Sequence, residues 1–98
     1  MSTETRPAGN SFLNITTATT TTVKSGAGVL CSLIINKKVL SGVVTIYDNT
    51  AASGTLIGTI TDPATLLSNQ LFVPYEVNFS TGLTIVTSTA TDITVVYR

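Results

Sequence analysis

The sequence predicts an all-β fold: an antiparallel β-sandwich, Ig-like or jelly-roll, built from seven to eight short strands. Three observations predict it. Apolar and polar residues alternate with a period of two, β-branched residues are abundant, and turn-forming residues interrupt the chain at short intervals. No window of ten or more residues has a helical period, and 98 residues suit one sandwich domain.

The composition indicates how such a domain keeps its surface polar. Charged residues make up 10% of the chain, against about 25% in an ordinary soluble domain. Threonine occurs 20 times in the 98 residues, and its β-branched side chain suits a half-exposed sheet surface. We therefore expect hydroxyl groups, more than charges, to cover the solvent faces.

The N-terminal part of the chain divides into an arm and a first strand. Residues 1–10 are polar and contain Pro7 and Gly9, which predicts a flexible N-terminal arm before a single domain at 11–98. One extended stretch then runs from Phe12 through the threonine run to Val23. Its weak amphipathicity predicts an edge strand, followed by a turn at 24–28.

The middle of the chain contains its most apolar strand, over residues 29–36. Because both faces of this strand are hydrophobic, it lies between layers or has one face covered by a partner. Lys37 and Lys38 mark a turn, and residues 43–47 form the next strand. Residues 48–54 are rich in Asp, Asn, Ser, Thr, Ala and Gly, which predicts a loop.

The C-terminal half continues the series of strands. A short strand over 55–60 is followed by a loop or one helical turn over 61–69. Within that segment, we expect Leu66 and Leu67 to pack on its inner side. Residues 71–79 alternate cleanly, and Pro74 on their polar side predicts an edge strand or a bulge. Strands over 83–87 and 93–98 complete the domain.

The residues needed for catalysis are almost entirely missing from the sequence. There is no histidine, so neither a Ser-His-Asp nor a Cys-His arrangement can form. The one cysteine, Cys31, lies in an apolar run and is predicted to be a buried thiol. We therefore predict a protein that is not an enzyme and has no cofactor, with no catalytic, cofactor-binding or metal-ligating residue assigned.

The carboxylates do not suggest a site either. Asp48, Asn49 and neighbouring carbonyls are oxygen ligands of the kind that calcium binds, but their spacing matches no EF-hand pattern, and the sequence favours a plain Asx-type turn. Asp62 and Asp92 also fall at predicted turns, Glu4 falls in the arm, and Glu76 faces away from the apolar row of its strand.

Charge and aromatic content bear on the partners. The five basic residues are scattered and form no basic patch, so we expect neither nucleic-acid nor membrane-surface binding. Phe72 is the main candidate for an exposed ring that could stack on a glycan, because the other aromatic residues fall on apolar rows. Those residues, expected to pack in the core, are Phe12, Tyr47, Tyr75, Phe79 and Tyr97.

Four segments together resemble small structural proteins of tailed-bacteriophage particles: TVKSGAGVL (22–30), VTIYDNTAASG (44–54), GLTIV (82–86) and VVYR (95–98). The resemblance is one of strand order and style, and it carries no site motif. It implies a virion component assembled in the host cytoplasm: a capsid decoration (cement) protein, a head-fibre base, or a neck or tail accessory protein.

The partners follow from the resemblance and from the apolar composition. Proteins of this kind are often compact β-sandwiches, frequently trimeric, so the resemblance implies a homo-oligomer bound to a major capsid or other virion protein. Low charge with 43% hydrophobic residues agrees with a domain that buries surface against partners. The alternative is an Ig-like or lectin-like module that recognises a cell-surface glycan or protein through the loops at 48–54 and 61–69.

Overall fold

Eight antiparallel strands form two four-stranded sheets that pack face to face, which confirms the predicted all-β sandwich. The computed structural model describes residues 10–39, 41–61 and 70–98, and no helix occurs in these ranges. Residues 1–9 of the predicted arm and residues 62–69 of the predicted loop at 61–69 lie outside these ranges, whereas Thr61 ends β5. The strands are β1 (Ser11–Ile15), β2 (Thr20–Ser25), β3 (Gly28–Lys37), β4 (Val43–Asp48), β5 (Thr55–Thr61), β6 (Leu71–Phe79), β7 (Gly82–Thr87) and β8 (Asp92–Tyr97).

The strand order decides between the Ig-like and the jelly-roll topology, which the sequence left open. Sheet 1 has the order β1-β8-β3-β6, and sheet 2 has the order β2-β7-β4-β5. The chain thus pairs its first strand with its eighth, its second with its seventh, its third with its sixth and its fourth with its fifth. This is the pairing of one long hairpin folded over on itself, so the sandwich is a jelly roll.

The threonine run crosses from one sheet to the other, so the single extended stretch predicted from Phe12 to Val23 is wrong. Two strands replace it, and each lies at an edge of its own sheet, as the weak amphipathicity indicated. The corner between them is held by Thr87, whose buried hydroxyl donates to the carbonyl of Thr17 at 2.6 Å. The same oxygen accepts from the amide of Thr19 at 3.1 Å. The corner is therefore stabilised by a side-chain hydroxyl. Because no glycine or proline marks this position, the sequence gives no turn signal here.

The core lies between the sheets and is built from alternate positions of both. Every strand except β2 and β5 contributes a buried apolar side chain, and those two edge strands pack half-buried residues against the core. Its members are Ile15, Leu30, Leu33, Ile35, Val44, Ile46, Phe79, Leu83, Ile85, Ile93 and Val95. None of them is charged, so burial of apolar surface supplies the main driving force for folding.

The central position predicted for the apolar strand is confirmed: β3 lies between β8 and β6 in sheet 1. Its inward residues Leu33 and Ile35 have no exposed surface. Cys31 is buried, as predicted, at the point where the pairing with both neighbours shifts by one residue. Its thiol donates to the side-chain oxygen of Asn10 at 3.4 Å, and Arg98 donates to the same oxygen at 3.1 Å.

Strand β6 has both features that Pro74 predicted, because it is an edge strand and contains a bulge. Leu30 pairs with Val77 and Ser32 pairs with Pro74, so two residues of β6 stand opposite one residue of β3. At the bulge Glu76 has a φ of 52°. This left-handed conformation is unfavourable for residues with a Cβ, and the bulge bends the strand and interrupts its outer edge.

Replacing Leu33 or Ile35 with alanine is expected to lower the free energy of unfolding by about 2–5 kcal/mol, because each change leaves a cavity in the core. Urea denaturation of the purified chain measures this. The matched control is Leu56→Ala on sheet 2, where the side chain is 54% exposed and the change is expected to stay within about 0.5 kcal/mol. Equal effects of Leu33→Ala and Leu56→Ala would contradict the placement of the core.

The left-handed backbone at Glu76 predicts an unusual order of substitutions. Glu76→Gly is expected to be more stable than Glu76→Val by about 1–2 kcal/mol, because glycine adopts positive φ without steric strain. At Asn78, on the same strand and also exposed, the order is expected to reverse, because valine suits a strand better than glycine does. Urea denaturation of the four variants compares the two sites, and the same order at both would rule out the strained bulge.

Candidate interaction surface

Asp48, at the end of β4, holds the turn between β6 and β7. One of its carboxylate oxygens accepts from the amides of Ser80, Thr81 and Gly82, at 3.1, 2.8 and 3.3 Å. The other accepts from the amide and the hydroxyl of Ser80, at 3.0 and 3.3 Å. These bonds, led by those from the Ser80 and Thr81 amides, lower the pKa of Asp48.

The loop that follows Asp48 folds back over the outer side of sheet 2. The hydroxyl of Thr84 donates to the carbonyl of Asn49 at 2.7 Å, and the hydroxyl of Thr22 donates to the carbonyl of Thr50 at 3.2 Å. Thr84 has no exposed surface although it points away from the core. The loop also explains Gly82, where a Cβ would lie 2.8 Å from the Thr50 methyl group and 3.0 Å from the Asn49 carbonyl oxygen.

The loop at 48–54 is therefore engaged with the rest of the domain. The Asn49 amide nitrogen donates to the carbonyl of Ser53 at 2.7 Å, and its side-chain oxygen accepts from the amide of Thr50 at 2.8 Å. Asp48 caps backbone amides, as expected of an aspartate at a turn, but these amides lie 32–34 residues away, in the connection that crosses from β6 in sheet 1 to β7 in sheet 2, and not in a local Asx-type turn. The side-chain oxygens that a calcium ion would use here accept hydrogen bonds from within the protein.

A second polar cluster joins three strands on the outer side of sheet 1. A carboxylate oxygen of Asp92 accepts from the amide groups of Asn14 and Asn36, at 2.8 and 3.1 Å. These two bonds, with the nearby charge of Lys37, lower the pKa of Asp92. Asn36 also donates to the hydroxyl of Thr94 at 3.0 Å. The cluster ties β1, β8 and β3 together at one end of the sheet.

Apolar side chains also occur on that surface, beside the polar cluster. They alternate with core residues along their strands and point outward from sheet 1, and we call them the apolar outer face: Phe12, Ile34, Phe72, Pro74 and Val96. Phe12 is 71% exposed and Phe72 is 62% exposed. All four strands of sheet 1 contribute to this face. Contiguous apolar residues of this kind on a surface mark interaction sites.

Strand register places these side chains in two adjacent rows. In the first row Phe12 is paired with Val96, and Ser32 pairs with both Val96 and Pro74. The second row contains Asn14, Thr94, Ile34 and Phe72 in that order across the sheet. The exposed rings therefore stand on opposite edge strands, with smaller side chains between them.

The outer side of sheet 2 has a different character. The row at its centre consists of Thr20, Val86, Thr45 and Thr59. Hydroxyl groups dominate there, as the composition predicted, and Leu56 is its most exposed large apolar residue. The two outer sides of the sandwich thus differ: that of sheet 1 carries two exposed phenylalanine rings and aliphatic residues near its middle, whereas that of sheet 2 carries mainly threonine.

The aromatic residues bear out the sequence analysis in part. Phe72 is exposed and Phe79 is buried, as predicted, and Tyr75 and Tyr97 pack against the core. The expectation that Phe12 packs in the core is wrong. Leu13 and Ile15 are the inward residues of β1, so Phe12 must point outward. Counting alternate residues back from Ile15 would have predicted this orientation. Tyr47 likewise lies on the outer side of β4, opposite the inward Val44 and Ile46.

The other residues considered from the sequence form no further site in the described ranges. Glu76 is exposed, as predicted, whereas Glu4 and Asp62 lie outside those ranges. Across residues 10–39, 41–61 and 70–98 there is no pocket and no group of three metal-ligating side chains. The same residues include no helix long and apolar enough to cross a membrane.

The lowered pKa of Asp48 leads us to expect that the stability of the fold depends on pH in the acid range. Because this pKa is lowered in the folded protein from the ordinary value of 3.8, the charged form of Asp48 stabilises the fold above that value. This contribution is lost as the pH falls from about 5 to about 2. Asp48→Asn is therefore expected to lower the Tm at pH 7, and its Tm should approach that of the wild type at the acid end.

Ser80→Ala is the matched control, because it removes one hydroxyl donor and leaves the three backbone amides on Asp48. Its difference from the wild type is expected to be small, with the acid-range dependence retained. Thermal melts from pH 2 to pH 7 compare the three proteins. A Tm difference between wild type and Asp48→Asn that is the same at every pH would contradict the role of the charge.

Comparisons with known proteins return no relative. No protein-family model, curated protein or solved structure matches the chain. The function is therefore inferred from the surface of the molecule itself.

Proposed function

We propose that this chain is a non-enzymatic structural protein of a tailed-bacteriophage particle, and that it decorates the capsid. The observation that carries the proposal is the apolar outer face of sheet 1. Its exposed groups are two phenylalanine rings and aliphatic side chains, which bind by burying surface. Such a face suits a protein whose role is to assemble with others.

The fold and the composition support the same role. Jelly rolls form many viral capsid domains, although they also form lectins and cupins, so the fold alone does not choose among these functions. With 10% charged residues and a net charge of zero, the chain has little electrostatic repulsion to oppose close packing in a shell. The resemblance of segments at 22–30, 44–54, 82–86 and 95–98 to small virion proteins points the same way.

A virion role predicts that the chain co-purifies with particles. Gradient-purified particles from a lysate that contains the chain are expected to carry it at a constant ratio to the major capsid protein, measured by quantitative mass spectrometry. A decoration protein occurs in copy numbers comparable to the capsid protein, whereas a neck, tail or head-fibre protein is present in a small fraction of that number. Recovery of the chain only in the soluble fraction would overturn the proposal.

A glycan-binding module is the second candidate, and one observation favours it. The exposed ring of Phe12 lies two residues from Asn14 on the same side of β1, and Asn14 belongs to the polar cluster with Asp92 and Asn36. An aromatic ring beside amide and carboxylate groups is an arrangement that can hold a sugar. Binding on a glycan array that is lost in both Phe12→Ala and Asn14→Ala would favour this candidate over the virion role.

A further inference from the structure

We draw no further inference here: the strongest candidate, the apolar outer face of sheet 1 with the exposed rings of Phe12 and Phe72, carries nothing beyond the proposed function, because nothing in the structure shows what covers it.

Discussion

The burial of uncharged aliphatic side chains between two sheets is the interaction on which the rest of this structure depends. Charged residues are few, and none of the core residues in the described part of the chain is charged. The geometry of the sheets then determines which side chains lie on the outer surfaces. Once alternate residues of a strand point inward, the remaining ones must point outward, whatever their polarity.

That constraint has different consequences for the two sheets. In sheet 2 the outward positions carry mainly threonine, and the loop after Asp48 covers one end of the surface with internal hydrogen bonds. In sheet 1 the outward positions of β3, β6 and β8 carry Ile34, Phe72 and Val96. The sandwich therefore has one side that carries mainly hydroxyl groups and one side that carries an apolar patch beside polar residues. The proposed role in assembly follows from this difference.

Much of the fold could be predicted because it depends on local pattern. The alternation over 71–79, the apolar run around Leu33 and the bulge near Pro74 follow from period-two burial and from the missing amide of proline. The break in the threonine run could not be predicted in the same way. It depends on the hydroxyl of Thr87, which lies 70 residues away from Thr17 along the chain and reaches it only after folding.

The sequence by itself determined the fold class, most strand positions, the central place of β3, the buried state of Cys31 and the exposure of Phe72, because each depends on neighbouring residues. Only the tertiary structure decided which strands share a sheet. Strand pairing joins residues that are distant along the chain. The tertiary structure therefore decided the jelly-roll order, the capping of the β6–β7 turn by Asp48, and the proximity on one surface of Phe12, Val96, Ile34 and Phe72. These residues are scattered along the chain, and their proximity follows from register between strands that the local pattern does not encode.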